Sequence, residues 1–419
     1  MKKIKLLYIV FVNAFLLTQL SCTTEKANYV SYSELYAVDL DTVEILHDFK
    51  YSNIFDSVRV IRLDSEHALL GGIDKVDVYD DKLVVLDANT AQGVFIFDKN
   101  GNLIRKIGNI GFGPTEYTEC TDFAIDTQHA SIYVYNRFGR KINLYDLETG
   151  TYIKTLNLER GHSVDRIWCN SGILYGVSTS FDLRNTDTKH YILKQLDKDS
   201  GREVMQWMDV YQYNKGWYDE FTHTPLFYHI SGGNDLFAFG LSDTIMCIGN
   251  GELTPYMAFS GNKVIKSEDI LNEEINLKES DPRKRVEMRF KMLSQLGQKQ
   301  GKIMNISNFF ENDGILYFKY MTWPYFLTMY NLQTDAVTSY TNHKDDVLFS
   351  LHPTGYRPPS FLTSDNGGIY YLYRTDLLSE LRYYFKEGLI SDKVINKNVL
   401  GSINEDSNPI ILYYEYGKK

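Results

Sequence analysis

An aspartate recurs at Asp98, Asp146 and Asp197, 48 and then 51 residues apart, each at the same place in the same local pattern. Val94–Asp98 is followed by Lys99-Asn100-Gly101 and Asn102–Ile107. Ile142–Asp146 is followed by Glu148-Thr149-Gly150 and Tyr152–Leu156. Tyr191–Asp197 is followed by Lys198–Gly201 and Glu203–Trp207. Each reads as a β-hairpin, two runs of apolar alternation around a turn whose glycine tolerates positive φ. One hairpin every ~50 residues is the period of a propeller, in which each blade is a four-stranded sheet.

The unit can be traced six times. The inner strands of blades one to three are Asp74–Val78 with Leu83–Asp87, Asp122–Asp126 with Ser131–Asn136, and Asp165–Cys169 with Ile173–Val177. Blade four is Phe227–Ser231, Leu236–Phe239, Ile245–Ile248 and Pro255–Phe259. Blade five is Ile306–Phe310, Leu316–Tyr320, Phe326–Tyr330 and Val337–Tyr340. Blade six has only three strands in order, Ser360–Thr363, Ile369–Tyr373 and Ile410–Tyr416. Val58–Leu63 alternates well but precedes blade one, so it is expected to supply the missing strand and close the ring, which removes exposed sheet edges. The expected fold is therefore all-β, a six-bladed β-propeller closed by an N-terminal strand in its last blade. Between blades four and five, residues 260–303 predict a helical insertion. Ser280-Asp281-Pro282 suits a helix start, and Val286, Phe290, Leu293 and Leu296 form a stripe expected to pack on the propeller.

The N-terminus reads as an export signal. Lys2, Lys3 and Lys5 precede an apolar run from Leu6 to Leu17, too short to span a bilayer, and Ser21-Cys22 ends it. Leu20-Ser21-Cys22 resembles a relaxed lipobox, which makes Cys22 the expected lipidation site. The expected division is a signal peptide at 1–21, a tether and covering segment at 22–55, and the propeller at 56–419. Removing the signal takes the formal charge from −10 to −13. So acidic a chain is a poor binder of nucleic acid, since phosphate neutralisation needs clustered Lys and Arg. Cys120, Cys169 and Cys247 are odd in number and lack metal-ligand spacing, so they read as core residues.

Loop length points to a working face. In a blade with strands a to d from axis to rim, the a–b and c–d turns emerge on one face, the b–c loops and d–a connections on the other. Every a–b and c–d turn is short. The long connections, 108–121, 181–190, 208–225, 260–303, 341–359 and 374–408, all fall on the opposite face, and rigid scaffolds carry binding residues on such loops. Within them the expected ligand contacts are the aromatic-rich Trp217, Tyr218 and Phe221 with His223, the pair Trp323 and Tyr325, and Arg137.

Gly108–Tyr117 reads G-N-I-G-F-G-P-T-E-Y and is followed by Asp122-Phe123-Ala124-Ile125-Asp126. This resembles a segment of the six-bladed propeller lipoproteins of Bacteroidota, relatives of NHL-type propellers, with Thr115 in place of the usual glycine. The resemblance implies the fold and a cell-envelope address, and no reaction; the lipid anchor is expected at the outer membrane. The expected function is a non-catalytic envelope lipoprotein that binds a glycan, a peptide or an outer-membrane transporter, with no cofactor. The alternative implied by NHL-like enzymes is a metal-dependent hydrolase or lyase near the axis. Asn89, Asn136, Asp182 and Asp243 lie at comparable loop positions, and His223 with His229 could ligate beside Asp219 or Glu220. No G-x-S-x-G, H-E-x-x-H or P-loop is present.

Overall fold

Each recurring aspartate caps the turn that follows it. Asp98 Oδ1 accepts the N–H groups of Asn100 and Asn102 at 2.8 and 2.9 Å. Asp146 Oδ1 accepts the backbone N–H and the hydroxyl of Thr149 at 2.7 and 2.8 Å. Asp197 Oδ1 accepts both from Ser200 at 2.7 Å. A short carboxylate that satisfies its own turn makes the hairpin locally stable. Gly101 then adopts φ +89°. It is also needed for space, because a Cβ there would stand 2.1 Å from the carbonyl oxygen of Arg62 in the closing blade.

These hairpins build a six-bladed β-propeller. The structure, a computed structural model, describes residues 35–417 apart from 160–163, 180–188, 214–224, 250, 267–268, 270–283, 285–286, 289–290, 293, 304, 321–324, 354–357 and 405–406. Three N-terminal strands come first, β1 (Tyr36–Asp39), β2 (Glu44–Lys50) and β3 (Phe55–Arg62). Blade one is β4 (Lys75–Tyr79), β5 (Lys82–Asp87), β6 (Gly93–Asp98) and β7 (Leu103–Ile107). Blade two is β8 (Asp122–Asp126), β9 (Ser131–Asn136), β10 (Lys141–Asp146) and β11 (Tyr152–Asn157). Blade three is β12 (Arg166–Asn170), β13 (Ile173–Val177), β14 (Tyr191–Leu196) and β15 (Glu203–Asp209). Blade four is β16 (Phe227–Ile230), β17 (Asn234–Phe237), β18 (Thr244–Gly249) and β19 (Glu252–Ser260). Blade five is β20 (Ile306–Asn312), β21 (Ile315–Tyr320), β22 (Phe326–Asn331) and β23 (Val337–Lys344). Blade six is β24 (Ser360–Asp365), β25 (Gly368–Tyr373), β26 (Ile410–Tyr416) and then β3. Inner strands such as β9 are buried throughout, while outer ones such as β11 are half exposed, because blades stack face to face and only the rim meets solvent.

The closing strand is where the alternation of Val58–Leu63 places it, antiparallel to β26 from Arg62 opposite Ile410 to Phe55 opposite Tyr416. Its free edge is covered. Asn396 uses its side-chain amide as a surrogate strand, Oδ1 accepting from Val60 N at 2.9 Å and Nδ2 donating to Val60 O at 2.8 Å. The described part of 22–55 does more than cover the propeller. β1 pairs parallel with β19 and β2 parallel with β23, so both blades gain a fifth strand. Three consecutive strands thus belt the rims of blades four, five and six, with Val38, Leu40 and Phe49 turned into the core.

Asn408, fully buried, organises the connection from the closing strand to blade one. Its Oδ1 accepts from Leu70 N at 2.8 Å, and its Nδ2 donates to Ala68 O at 2.7 Å and Asp64 O at 3.1 Å. Asn408→Ala leaves three backbone groups without partners, and urea unfolding should show a loss of about 3 kcal/mol, since each stranded group costs on the order of 1–3.

The signal peptide and Cys22 lie outside the described residues, as do Pro282, Val286, Phe290 and Leu293 of the insertion. Its described end is helical at 294–300, with Met292 and Leu296 buried. Sequence periodicity missed a helix, Leu378–Lys386, within the 374–408 insertion. It buries Leu378, Leu381 and Tyr384. Cys120 is buried, Cys169 and Cys247 partly so, and all three are free thiols. Burial pushes the Cys120 and Cys169 thiols far up and Cys247 up to about 11, so they are inert at neutral pH.

Candidate functional site

The inner strands place charged side chains across the propeller axis. Lys75 and Asp77, two apart on β4, share one face of that strand. Lys75 Nζ donates to Asp122 Oδ1 at 2.9 Å and to Phe123 O at 2.6 Å, beneath the rings of Phe123 and Trp168 at 4.9 and 5.0 Å. His229 of β16 pairs through Nδ1 with Asp235 Oδ1 at 2.7 Å and through Nε2 with Asp77 Oδ1 at 2.9 Å. Asp235 Oδ2 also accepts from Trp168 Nε1 at 2.6 Å and Asn170 Nδ2 at 2.8 Å. Blades one and four stand opposite each other in a ring of six, so the His229–Asp77 pair crosses the axis. Tyr228 of β16 packs towards the neighbouring blades, with ring centroids 5.4 Å from Phe309 of blade five and 5.8 Å from Phe361 of blade six.

Burial alone would discharge His229, but the carboxylates of Asp235 and Asp77 more than offset it and hold the imidazole well above its ordinary range. It is therefore an imidazolium at neutral pH, a donor at both nitrogens and a ligand at neither. The axial carboxylates that could hold a metal ion already hold the cations of Lys75 and His229. The residues expected around such a metal are engaged in their own loops. Asn89 Nδ2 donates to Asp74 Oδ1 at 2.9 Å, Asn136 Nδ2 to Thr118 Oγ1 at 2.9 Å, and Asp243 Oδ1 accepts from Thr244 Oγ1 at 3.1 Å. Asp182, Asp219, Glu220 and His223 lie outside the described residues. Among the described residues no group of three or more His, Cys, Asp or Glu is placed to hold a metal. The donor set at the axis does not fit a divalent cation.

The long-loop face has a different chemistry. The G-N-I-G-F-G-P-T-E-Y segment closes on itself: Gly111 N donates to Tyr117 O at 3.0 Å and Tyr117 N to Asn109 O at 3.1 Å. Glu116 folds back inside, its Oε2 accepting from Gly113 N at 2.7 Å. A Cβ on Gly111 would stand 1.9 Å from that oxygen. With the loop interior taken by a carboxylate, Phe112 at its tip points outward and is 97 % exposed. Phe138, 84 % exposed, caps the b–c loop of blade two. That loop is held by Gly139 N donating to Asn136 Oδ1 at 2.8 Å and by Phe138 N donating to Glu119 of the neighbouring connection. Leu69 and Leu351, 69 and 68 % exposed, stand on the connections into blades one and six. Among the described residues no short turn on the other face carries a large exposed apolar side chain.

Of the residues expected to contact ligand, Trp217, Tyr218, Phe221, His223 and Trp323 lie outside the described residues. Tyr325 is 46 % exposed on the long-loop side. Arg137 is ion-paired with the buried Asp165, whose other oxygen accepts from Thr179 N at 2.7 Å, so its guanidinium ties blade two to blade three. Phe112 and Phe138 were passed over. The signal for them was an aromatic residue beside a glycine in a tight connection, where no packing partner is available.

Comparison with known proteins bears on the fold. A crystal structure of a candidate exported protein from Bacteroides fragilis superposes with a TM-score of 0.68 at 20 % identity, covering 91 % of this chain and 100 % of that one. A member of the duf4221 family from Bacteroides vulgatus gives a TM-score of 0.47 at 10 % identity, over 87 % of this chain and 97 % of its own. No curated protein matches the chain. Residues 35–415, the belt and all six blades, match the family described as Domain of unknown function (DUF4934), and the chain belongs to that family.

Proposed function

We propose that this is a non-catalytic binding protein of the cell envelope, anchored at the outer membrane through a lipid on Cys22, that docks a neighbouring protein on its long-loop face. One observation carries the reading. Among the described residues, all four large apolar side chains more than 60 % exposed, Leu69, Phe112, Phe138 and Leu351, stand on connections of that face. Rigidly presented apolar residues that the monomer does not bury mark an interaction surface. Their chemistry selects the partner class. Phe and Leu offer neither donors nor acceptors for a polyhydroxylated sugar, whereas they fill pockets of a protein surface well. A crossed axis likewise favours a docked surface over a ligand threaded into the ring. The exported description of the Bacteroides fragilis protein supports the address, and no helix among the described residues is long and apolar enough to cross a membrane.

The test is crosslinking of the tagged, lipidated protein in native membranes, followed by mild solubilisation and mass spectrometry. A stoichiometric envelope protein crosslinked at Lys141, at the long-loop end of β10, supports the reading. Crosslinks confined to Lys99 and Lys198 in the short turns, or recovery of the protein alone, defeat it.

A further inference from the structure

Away from the axis, blades five and six pack a cluster of titratable side chains against one another. Lys319 extends from β21 toward blade six, with Nζ 5.8 Å from the ring of Tyr371 on β25. Tyr371 lies beside Tyr51, in the link between β2 and β3. The Tyr51 ring stacks on His343 of β23 at 6.3 Å and 3°. The cluster therefore runs from Lys319 to His343. Among the described residues the ammonium of Lys319 meets no acceptor, and Nδ1 of His343 is buried without a partner. Both side chains keep partial exposure.

Among the described residues the acid that faces Lys319 is Asp345, and it is already committed. It accepts from the Tyr414 hydroxyl and, at 2.8 Å, from Leu348 N. The lining is thus rich in donors: an ammonium, an imidazole nitrogen and tyrosine hydroxyls. A buried donor without an acceptor is costly, and an anion that enters satisfies several at once.

We infer that Lys319 and His343 form a carboxylate-binding subsite between blades five and six. It stands apart from the apolar docking surface, and either can fail alone. The proton chemistry agrees with it. Burial draws Lys319 down to about 8, only partly offset by Asp345. Burial first, then Lys319 and His352, holds His343 down to about 4. Burial also pushes Asp345 up to about 6. A bound carboxylate favours the charged forms of Lys319 and His343, so binding takes up protons and strengthens as pH falls, until the carboxylate itself is protonated.

The experiment is competitive labelling of the intact protein with trace acetic anhydride across pH, read lysine by lysine by mass spectrometry. Succinate serves as a free carboxylate and a glutamate-rich peptide as an acidic protein segment, each against sodium chloride at equal ionic strength. The subsite predicts that one probe or both raise the Lys319 midpoint by about one unit, slowing its labelling about fivefold at the original midpoint and about tenfold well below it. Exposed Lys141 and Lys386 should not respond. A response to succinate alone identifies a free acid as the ligand, and to the peptide alone an acidic segment of a protein. His343→Phe, which keeps the stack on Tyr51, should lose most of the response, and an unchanged response there overturns the pairing. If neither probe exceeds sodium chloride, the subsite does not exist.

Discussion

His229→Ala is expected to destabilise the folded chain by about 3 kcal/mol in urea or thermal unfolding, among the largest effects of any single change near the axis. The imidazolium bridges two carboxylates that are nearly inaccessible, Asp77 and Asp235, at 5 and 2 % exposure. Removing one member of a buried charge pair typically costs 3–5 kcal/mol, roughly, because the remaining charge keeps its desolvation and loses its partner. The lower end applies here. The His229 side chain is 37 % exposed, so water can partly replace it. Asp235 also keeps its bonds from Trp168 and Asn170, and Asp77 keeps Val78 N at 2.8 Å.

The pH dependence fixes which part of that loss is ionic. A group whose folded value is raised adds stability that is fully present below its unfolded value, 6.5 for imidazole, and is lost as pH rises through the folded value. The gap between wild type and His229→Gln, which keeps a donor but no charge, should be full in mildly acidic buffer and close as the solution becomes alkaline. A gap that does not change with pH would mean that His229 acts by shape alone. Because the bridge joins opposite blades, its loss should also let the ring open as a unit, seen as faster hydrogen exchange in both β4 and β16.

How much of this could be read from residues alone depends on the range of the interactions. Asp98, Asp146 and Asp197 satisfy turns within four residues of themselves, so the hairpins announce themselves locally. The closing strand is legible for a different reason: blade six lacks one strand and Val58–Leu63 has nowhere else to go. β2 offers no such cue. Glu44–Lys50 does not alternate, buries only Phe49, and is held by backbone pairing to an edge that exists only after the propeller has formed. His229 was visible as a possible ligand, but Asp77, its partner, is 152 residues away. Nothing short of the fold brings two carboxylates onto one imidazole and turns a metal ligand into a structural cation. Loop length is a property of the chain, whereas the outward aim of Phe112 depends on Glu116 filling the loop behind it.

That aim makes Phe112 and Phe138 the sharpest test of the docking surface. The double change Phe112→Ser and Phe138→Ser should lower affinity for the captured partner at least about 100-fold, since two anchors at a partner's pocket carry on the order of 2 kcal/mol each and need not add fully. Stability should move by no more than roughly 0.5 kcal/mol, because neither ring packs on the propeller and both loops are held by backbone and carboxylate contacts that the serines leave intact. The same change at Ile153, 50 % exposed on the outer strand of blade two, should leave binding unaltered. This contrast separates a specific surface from general stickiness. Both faces of the comparison expose apolar area, but only the loop residues are pre-positioned by a closed hydrogen-bond circuit, so binding them costs little ordering entropy. If the double variant binds as well as wild type while remaining folded, the partner docks elsewhere, and the glycine-rich loop owes its shape to the junction between blades one and two.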